Sequence, residues 1–236
     1  KPIRGRNWPS PPSSPTLAPL GDSGYPRGGR TASRWSIPVL RCAGRRFFPL
    51  TTEGGEQVPD GPLVVAANHF SHLDPVVAAV AVDRPIRYLA LDELYGRSGF
   101  FDRLTLWLGA IPLPRGAPPL QALRLSLAEL GAGGCIGLFP EGMRVWAWGE
   151  VAPKRGAAWL ACRAGAPLLP VAIAGAEEAL GRGTTRVSRR PIHAVVCPPI
   201  LPADYAGDPD PLGAMMGEWR RRVDDGLRRA YGELRP

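Results

Sequence analysis

Two side chains five positions apart raise the question of chemistry. In Asn68-His69-Phe70-Ser71-His72-Leu73-Asp74, an imidazole and a carboxylate fall within one turn, directly after the apolar run Leu63-Val64-Val65-Ala66-Ala67. A histidine whose tautomer is fixed by a carboxylate removes a proton from a hydroxyl efficiently, so His69 and Asp74 could serve as general base and orienting acid. Both also have ordinary structural uses. Asp74 before Pro75 suits a helix N-cap and first helical residue, and His69 suits a satisfied buried imidazole. The chain holds three histidines, His69, His72 and His193, which leaves few rivals for proton transfer by imidazole.

Three further segments sit where a strand should give way to a loop, the edge at which open α/β sheets bind ligands. Gly109-Ala110-Ile111-Pro112-Leu113-Pro114-Arg115 stiffens the backbone with two prolines ahead of one arginine. The planar guanidinium fork of Arg115 suits a phosphate, though an arginine after a Pro-rich turn is also common at surfaces. In Phe139-Pro140-Glu141-Gly142-Met143-Arg144, Glu141 and Arg144 flank a glycine that allows a ligand to approach the backbone; a plain ion pair is the alternative. Leu168-Leu169-Pro170-Val171-Ala172-Ile173, preceded by Lys154-Arg155-Gly156, reads by itself as a core strand.

The elements that must position these residues follow from periodicity. Apolar runs predict buried strands at 63–67, 86–91, 135–139, 168–173 and 192–197. Helical spacing predicts helices at 76–82, 98–108, 120–130 and 155–164, and a closing helix traced by Leu212, Met215, Met216, Trp219, Val223, Leu227 and Tyr231. Residues 35–50 alternate apolar and basic, as a short helix entering a first strand or as a surface anchor would. Strands alternating with amphipathic helices predict an α/β fold: one domain with a mostly parallel central sheet covered by helices on both faces.

With 236 residues, 44% apolar and 21% charged, the chain can bury one sizeable core. Residues 1–34 are rich in Pro, Gly, Ser and Arg and predict a disordered tail, leaving 35–236 as the folded domain. The formal charge of +8 is concentrated there: six basic residues face Asp22 alone within the first 35. Such a tail suits an anionic membrane surface or another polyanion, or is merely solvated. No apolar run is long enough for a spanning helix, and no signal peptide is expected. Cys42, Cys135, Cys162 and Cys197 are scattered among apolar neighbours, which predicts free thiols rather than disulfides.

Taken together, the four segments resemble the glycerolipid acyltransferase family, which includes 1-acylglycerol-3-phosphate acyltransferases. Its members carry an Asn-His-x-Ser-x-x-Asp box, a Gly-rich segment ending in arginine, a Phe-Pro-Glu-Gly-Thr-Arg box and a Pro-containing strand. The likeness covers residues 61–173 and extends weakly to Pro199. It implies that His69 deprotonates the acceptor hydroxyl while Asp74 orients it. The alkoxide would attack the thioester of acyl-CoA or acyl-carrier protein directly, with no further cofactor and no metal. It further implies that Arg115 holds the acceptor's phosphate, that Glu141, Gly142 and Arg144 complete the acceptor site, and that Asn68 and Ser71 support the turn. The implied acceptor is a lysophospholipid, foremost 1-acylglycerol-3-phosphate, in phospholipid biosynthesis. The implied location is peripheral, at the cytoplasmic face of a membrane. Two departures bear on the acceptor: Met143 replaces the family's threonine and Val145 a common serine. Another lyso-lipid, or a different hydroxyl or amine acceptor, therefore stays open. Trp146 and Trp148 would either enter a membrane interface or pack in the core.

Two rivals come from other classes. His69, His72 and Asp74 form a His-x-x-His-x-Asp pattern of the kind that zinc hydrolases use, but further ligands would have to come from elsewhere. An arginine-driven binding module for anionic surfaces would leave the paired boxes unexplained, and no nucleic-acid fold signature is present, so no nucleic-acid partner is expected.

Overall fold

The computed structural model describes residues 48–91, 110–113, 120–184 and 186–234. The expected tail, residues 35–47, the helix expected at 98–108, Cys42 and Arg115 lie outside the described residues.

Seven strands form one sheet: β1 (Leu50–Glu53), β2 (Leu63–Ala67), β3 (Ile86–Leu91), β4 (Ile111–Leu113), β5 (Cys135–Leu138), β6 (Leu168–Ala174) and β7 (Ile192–Val196), in the spatial order β1-β7-β6-β2-β5-β3-β4. β2 lies between β5 and β6 and runs parallel to both; β3 and β4 continue the same direction beyond β5. β7 turns back antiparallel to β6, and β1 pairs parallel to β7. The mostly parallel α/β sheet expected from the sequence is therefore present.

Every residue of β2 is buried, because helices cover both faces. Val64 and Ala66 belong to one core, with α2 (Leu120–Gly131), α3 (Gly156–Ala164) and α5 (Pro211–Leu234). Leu63, Val65 and Ala67 point the other way, into a second core with α1 (Asp74–Val82) and α4 (Ala176–Leu180). This is the two-residue period of a strand acting on an apolar run. After β5 pairs with one side of β2, the chain crosses through α3 to reach β6 on the other side. The carboxyl ends of β2, β5 and β6 consequently lie side by side, at the point where an open sheet forms a crevice.

Several elements escape the periodicity reading. β4 has three residues with Pro112 at its centre, which the edge position tolerates because one flank needs no ladder donor. α4 has five residues, too few to display a period. Helix α1 begins at Asp74 itself, with Leu73 in the cap position and no side-chain cap bond. Asp74 is thus not the N-cap. Cys135 and Cys197 are buried free thiols, and Cys162 is a half-buried one; burial pushes Cys135 and Cys197 up to about 11. Among the described residues, no helix is long and apolar enough to cross a membrane.

Candidate active site

The turn after β2 is built around one oxygen. Oδ2 of the fully buried Asp74 accepts the backbone N–H groups of Phe70 and Ser71, each at 2.7 Å, and lies 2.9 Å from Nδ1 of His69. Its carboxylate serves N–H groups upstream of the helix rather than those of the helix's first turn. That is the physical reason it does not act as a cap. Because Oδ2 acts as an acceptor, the ring donates through Nδ1, and in the neutral ring that tautomer leaves the lone pair on Nε2.

Neighbouring side chains hold this turn from both sides. Asn68 reads the backbone of β6 twice: Nδ2 donates to the carbonyl of Ile173 at 2.9 Å, and Oδ1 accepts its N–H at 2.8 Å. The Ser71 hydroxyl donates to the carbonyl of Leu180 at 2.6 Å and accepts the N–H of Leu73 at 3.0 Å. The His69 ring stacks on Phe139, centroids 3.9 Å apart, and Phe139 stacks in turn on Tyr88. His69 remains 18% exposed, so the imidazole is fixed yet reachable.

The loop after β5 meets this turn edge to edge. Oε1 of Glu141 accepts the N–H of His69 at 3.2 Å, and the carbonyl of His69 accepts the N–H of Val145 at 2.8 Å. Oε2 of Glu141 is buried and has no hydrogen-bond partner among the described residues. Burial raises this carboxyl to about 7, so a proton is shared near neutrality. Gly142 has φ +72°, and a Cβ there would fall 2.4 Å from Nζ of Lys154. The position favours glycine for its left-handed backbone, while the end of the lysine side chain over it could swing aside.

Nη1 of Arg144 lies 2.5 Å from Nε2 of His72. Burial, followed by the Arg144 charge, lowers His72 to about 4, so the ring is neutral and accepts from the guanidinium. Burial also lowers Arg144, and the nearby Arg182 charge adds to that. Glu141 and Arg144 thus do not pair with each other; they turn to His69 and His72. Among the described residues no three His, Cys, Asp or Glu side chains converge as a metal ion would require, and His72 is directed to Arg144.

His69, Asp74, Asn68, Ser71, Glu141, Gly142 and Arg144 come together at one sheet edge. β4 ends at Leu113, two residues before Arg115 in sequence, with its strand direction shared by β2. The reading from sequence missed Arg182, the Lys154 stem over Gly142, and His72 as the partner of Arg144. No local pattern announces them, because each depends on chain brought from a distance. The two tryptophans part company, and only the packing expectation is met, by Trp148. Trp148 packs at 5.6 Å on Trp219 and donates to Asp224 at 3.2 Å, whereas Trp146 is 66% exposed.

The sequence profile of the Acyltransferase family matches residues 49–174, just over half of the chain. The 1-acyl-sn-glycerol-3-phosphate acyltransferase of Bacillus subtilis is 26% identical over 194 residues, covering 78% of this chain and 94% of that enzyme. A chloroplastic 1-acyl-sn-glycerol-3-phosphate acyltransferase of Arabidopsis thaliana is 26% identical over 160 residues, 62% of this chain but only 44% of that longer protein. The crystal structure of the 1-acyl-sn-glycerophosphate acyltransferase PlsC from Thermotoga maritima shares the fold, with a TM-score of 0.66 at 24% identity over 85% of this chain and 83% of that one. With the matched segment running from the first strand through the strand that Asn68 clamps, this chain belongs to the Acyltransferase family and is an acyltransferase enzyme of the 1-acylglycerol-3-phosphate acyltransferase-like kind.

Proposed function

We propose that the enzyme moves a fatty acyl group from acyl-CoA or acyl-carrier protein to the hydroxyl of a lysophospholipid, 1-acylglycerol-3-phosphate first among them, with His69 as general base. The observation that carries this reading is the Nδ1 contact to Asp74, which leaves Nε2 to take the acceptor's proton. The alkoxide oxygen then bonds to the thioester carbonyl carbon, the carbon–sulfur bond breaks, and the thiolate leaves with the electron pair. The proton held on His69 passes to that sulfur. No enzyme nucleophile is required, because a thioester is already activated.

Arg144, with the Arg182 charge nearby, is suited to an anionic headgroup, since burial and the second positive charge both disfavour the Arg144 guanidinium until an anion joins it. Arg115 is the second candidate for the phosphate. With strands ~4.8 Å apart, the end of β4 lies ~14 Å from the end of β2. Its lipid substrates put the enzyme at a membrane surface, as a peripheral protein.

Incubation with labelled acyl-CoA or acyl-carrier protein and a panel of lyso-lipids, followed by mass analysis, tests the reading. Transfer to phosphate-bearing acceptors supports it. Transfer only to neutral acceptors would instead assign the arginines another task, a possibility that Met143 and Val145 keep chemically reasonable by removing two hydroxyl donors.

A further inference from the structure

Five large apolar side chains stand well exposed among the described residues, and three of them, Met143, Trp146 and Val187, lie in two loops at the active-site edge. Met143 and Trp146 follow β5. Val187 lies between α4 and β7, and because β7 runs back from the end of β6, this loop occupies the same edge as His69. An isolated bridge between Ser71 and Gly181 ties the second loop to the catalytic turn.

The two loops are joined and supported. The Trp146 ring lies against Gly183, where a Cβ would be 3.2 Å from it, and the Arg182 guanidinium sits 5.2 Å above the ring. Oε2 of Glu150 accepts the N–H of Trp146 at 2.6 Å, which holds the backbone so that the indole projects outward. Residues 181–190 contain four arginines and no acidic residue. Arg186, Arg189 and Arg190 are exposed; Arg190 has Glu178 at 4.0 Å.

Single exposed apolar residues are ordinary, but three on one rim, in two loops that meet at Trp146 and Arg182 and beside an arginine run, are a mixed apolar and basic feature that calls for a partner. Indole rings settle at the boundary between headgroups and acyl chains, and arginines beside them meet lipid phosphates. Resting on the acyl-transfer reading given above, we propose that Met143, Trp146, Val187 and the arginines of 182–190 form a docking surface for an anionic bilayer. Docking there turns the His69 crevice toward the headgroup layer, from which a lyso-lipid can enter without leaving the membrane. An acidic protein would match the arginines as well, and the acyl-carrier-protein arm of the test separates it from a bilayer.

The test uses the full chain with vesicles of pure phosphatidylcholine or of equimolar phosphatidylcholine and phosphatidylglycerol. Wild type should prefer the mixed vesicles. The Trp146→Ser/Val187→Ser and Arg186→Gln/Arg189→Gln pairs should each lower that partition on the order of tenfold, with turnover on detergent-dispersed substrate kept. Lipid with brominated acyl chains should quench wild-type tryptophan fluorescence, and Trp146→Phe should lose much of that quenching. Unchanged partition in both double variants, or unchanged quenching, overturns the surface and leaves vesicle binding to other parts of the chain. Unchanged partition with lost turnover on an acyl-carrier-protein donor overturns it in favour of a protein partner. A wild type that binds mixed vesicles through these residues yet transfers no acyl group in detergent upholds the surface and sinks the acyl-transfer reading instead.

Discussion

The turn after β2 and the loop after β5 lie edge to edge, but they spend their polar groups differently. In the turn, Asn68, Ser71 and Oδ2 of Asp74 are consumed by protein partners, and His69 is held at Nδ1 with one face on Phe139. In the loop, Met143 and Trp146 face outward and Arg144 rests on a neutral imidazole, whereas the two buried carboxylates are alike in keeping one oxygen, Oδ1 of Asp74 and Oε2 of Glu141, without a partner among the described residues. One half is preorganised to move a proton; the other is left for a ligand to complete. Such a division is expected where rate depends on fixed geometry and specificity on contacts made only with the substrate.

The largest effect should come from the turn. His69→Ala and Asp74→Asn should each lower turnover on the order of 10²–10⁴, and His69→Ala should leave thermal unfolding close to wild type. Steady-state kinetics on dispersed lyso-lipid check this. If Arg144→Ala cost as much in turnover, with the Michaelis constant unmoved, the division between the two halves would collapse. Arg115→Ala and Arg144→Ala should raise the Michaelis constant for a phosphate-bearing acceptor instead.

Asn68→Ala should come next, as a loss of stability. It strands both the N–H and the carbonyl of buried Ile173, which costs about 2–5 kcal/mol. Urea unfolding measures it, and a loss near zero would mean that the turn is not fastened to β6 as described.

A smaller effect concerns pH. Glu141 titrates at about 7 in the folded protein, above its ordinary value of 4.5, so folding retains a proton there and its contribution to stability is lost as pH rises through 7. His72, lowered from 6.5 to about 4, works in the opposite sense: its contribution is present above 6.5 and lost as pH falls through 4. The two slopes oppose each other between pH 4.5 and 6.5. Glu141→Gln should therefore leave stability rising with pH in that window, and His72→Asn should leave it falling. Denaturant midpoints at several pH values read the difference; parallel profiles in both variants would refute it.

The smallest effect belongs to Met143→Thr. The side chain is 47% exposed, so stability should stay within about 0.5 kcal/mol. Any consequence should appear as a lower Michaelis constant for phosphate-bearing acceptors, because the change adds a hydroxyl donor beside Arg144.

How legible these features were depended on how local they are. His69 and Asp74 could be paired from the sequence because five residues in one turn bring them together. The strand at Leu63–Ala67 and the helix Pro211–Leu234 were legible because long apolar periodicity is strong. Asp74 was misread as a cap because an Asp-Pro pair carries the same local signal whichever N–H groups its carboxylate finally meets. The two tryptophans, two positions apart, could not be separated: Trp148 was claimed by Trp219 and Asp224 from the closing helix, while Trp146, touched only by Gly183 and Arg182 among the contacts described, stayed 66% exposed.

From its residues alone this chain specified an α/β sheet and a set of boxes resembling an acyltransferase, since both are written in short spacings. Tertiary structure alone decided that Glu141 would lean on His69 rather than pair with Arg144, that Arg144 would meet His72, and that Arg182 would arrive beside them. Those partners come from 38 to 72 positions away, and only the adjacency of β2, β5 and β6 brings such distant chain within hydrogen-bonding or charge range.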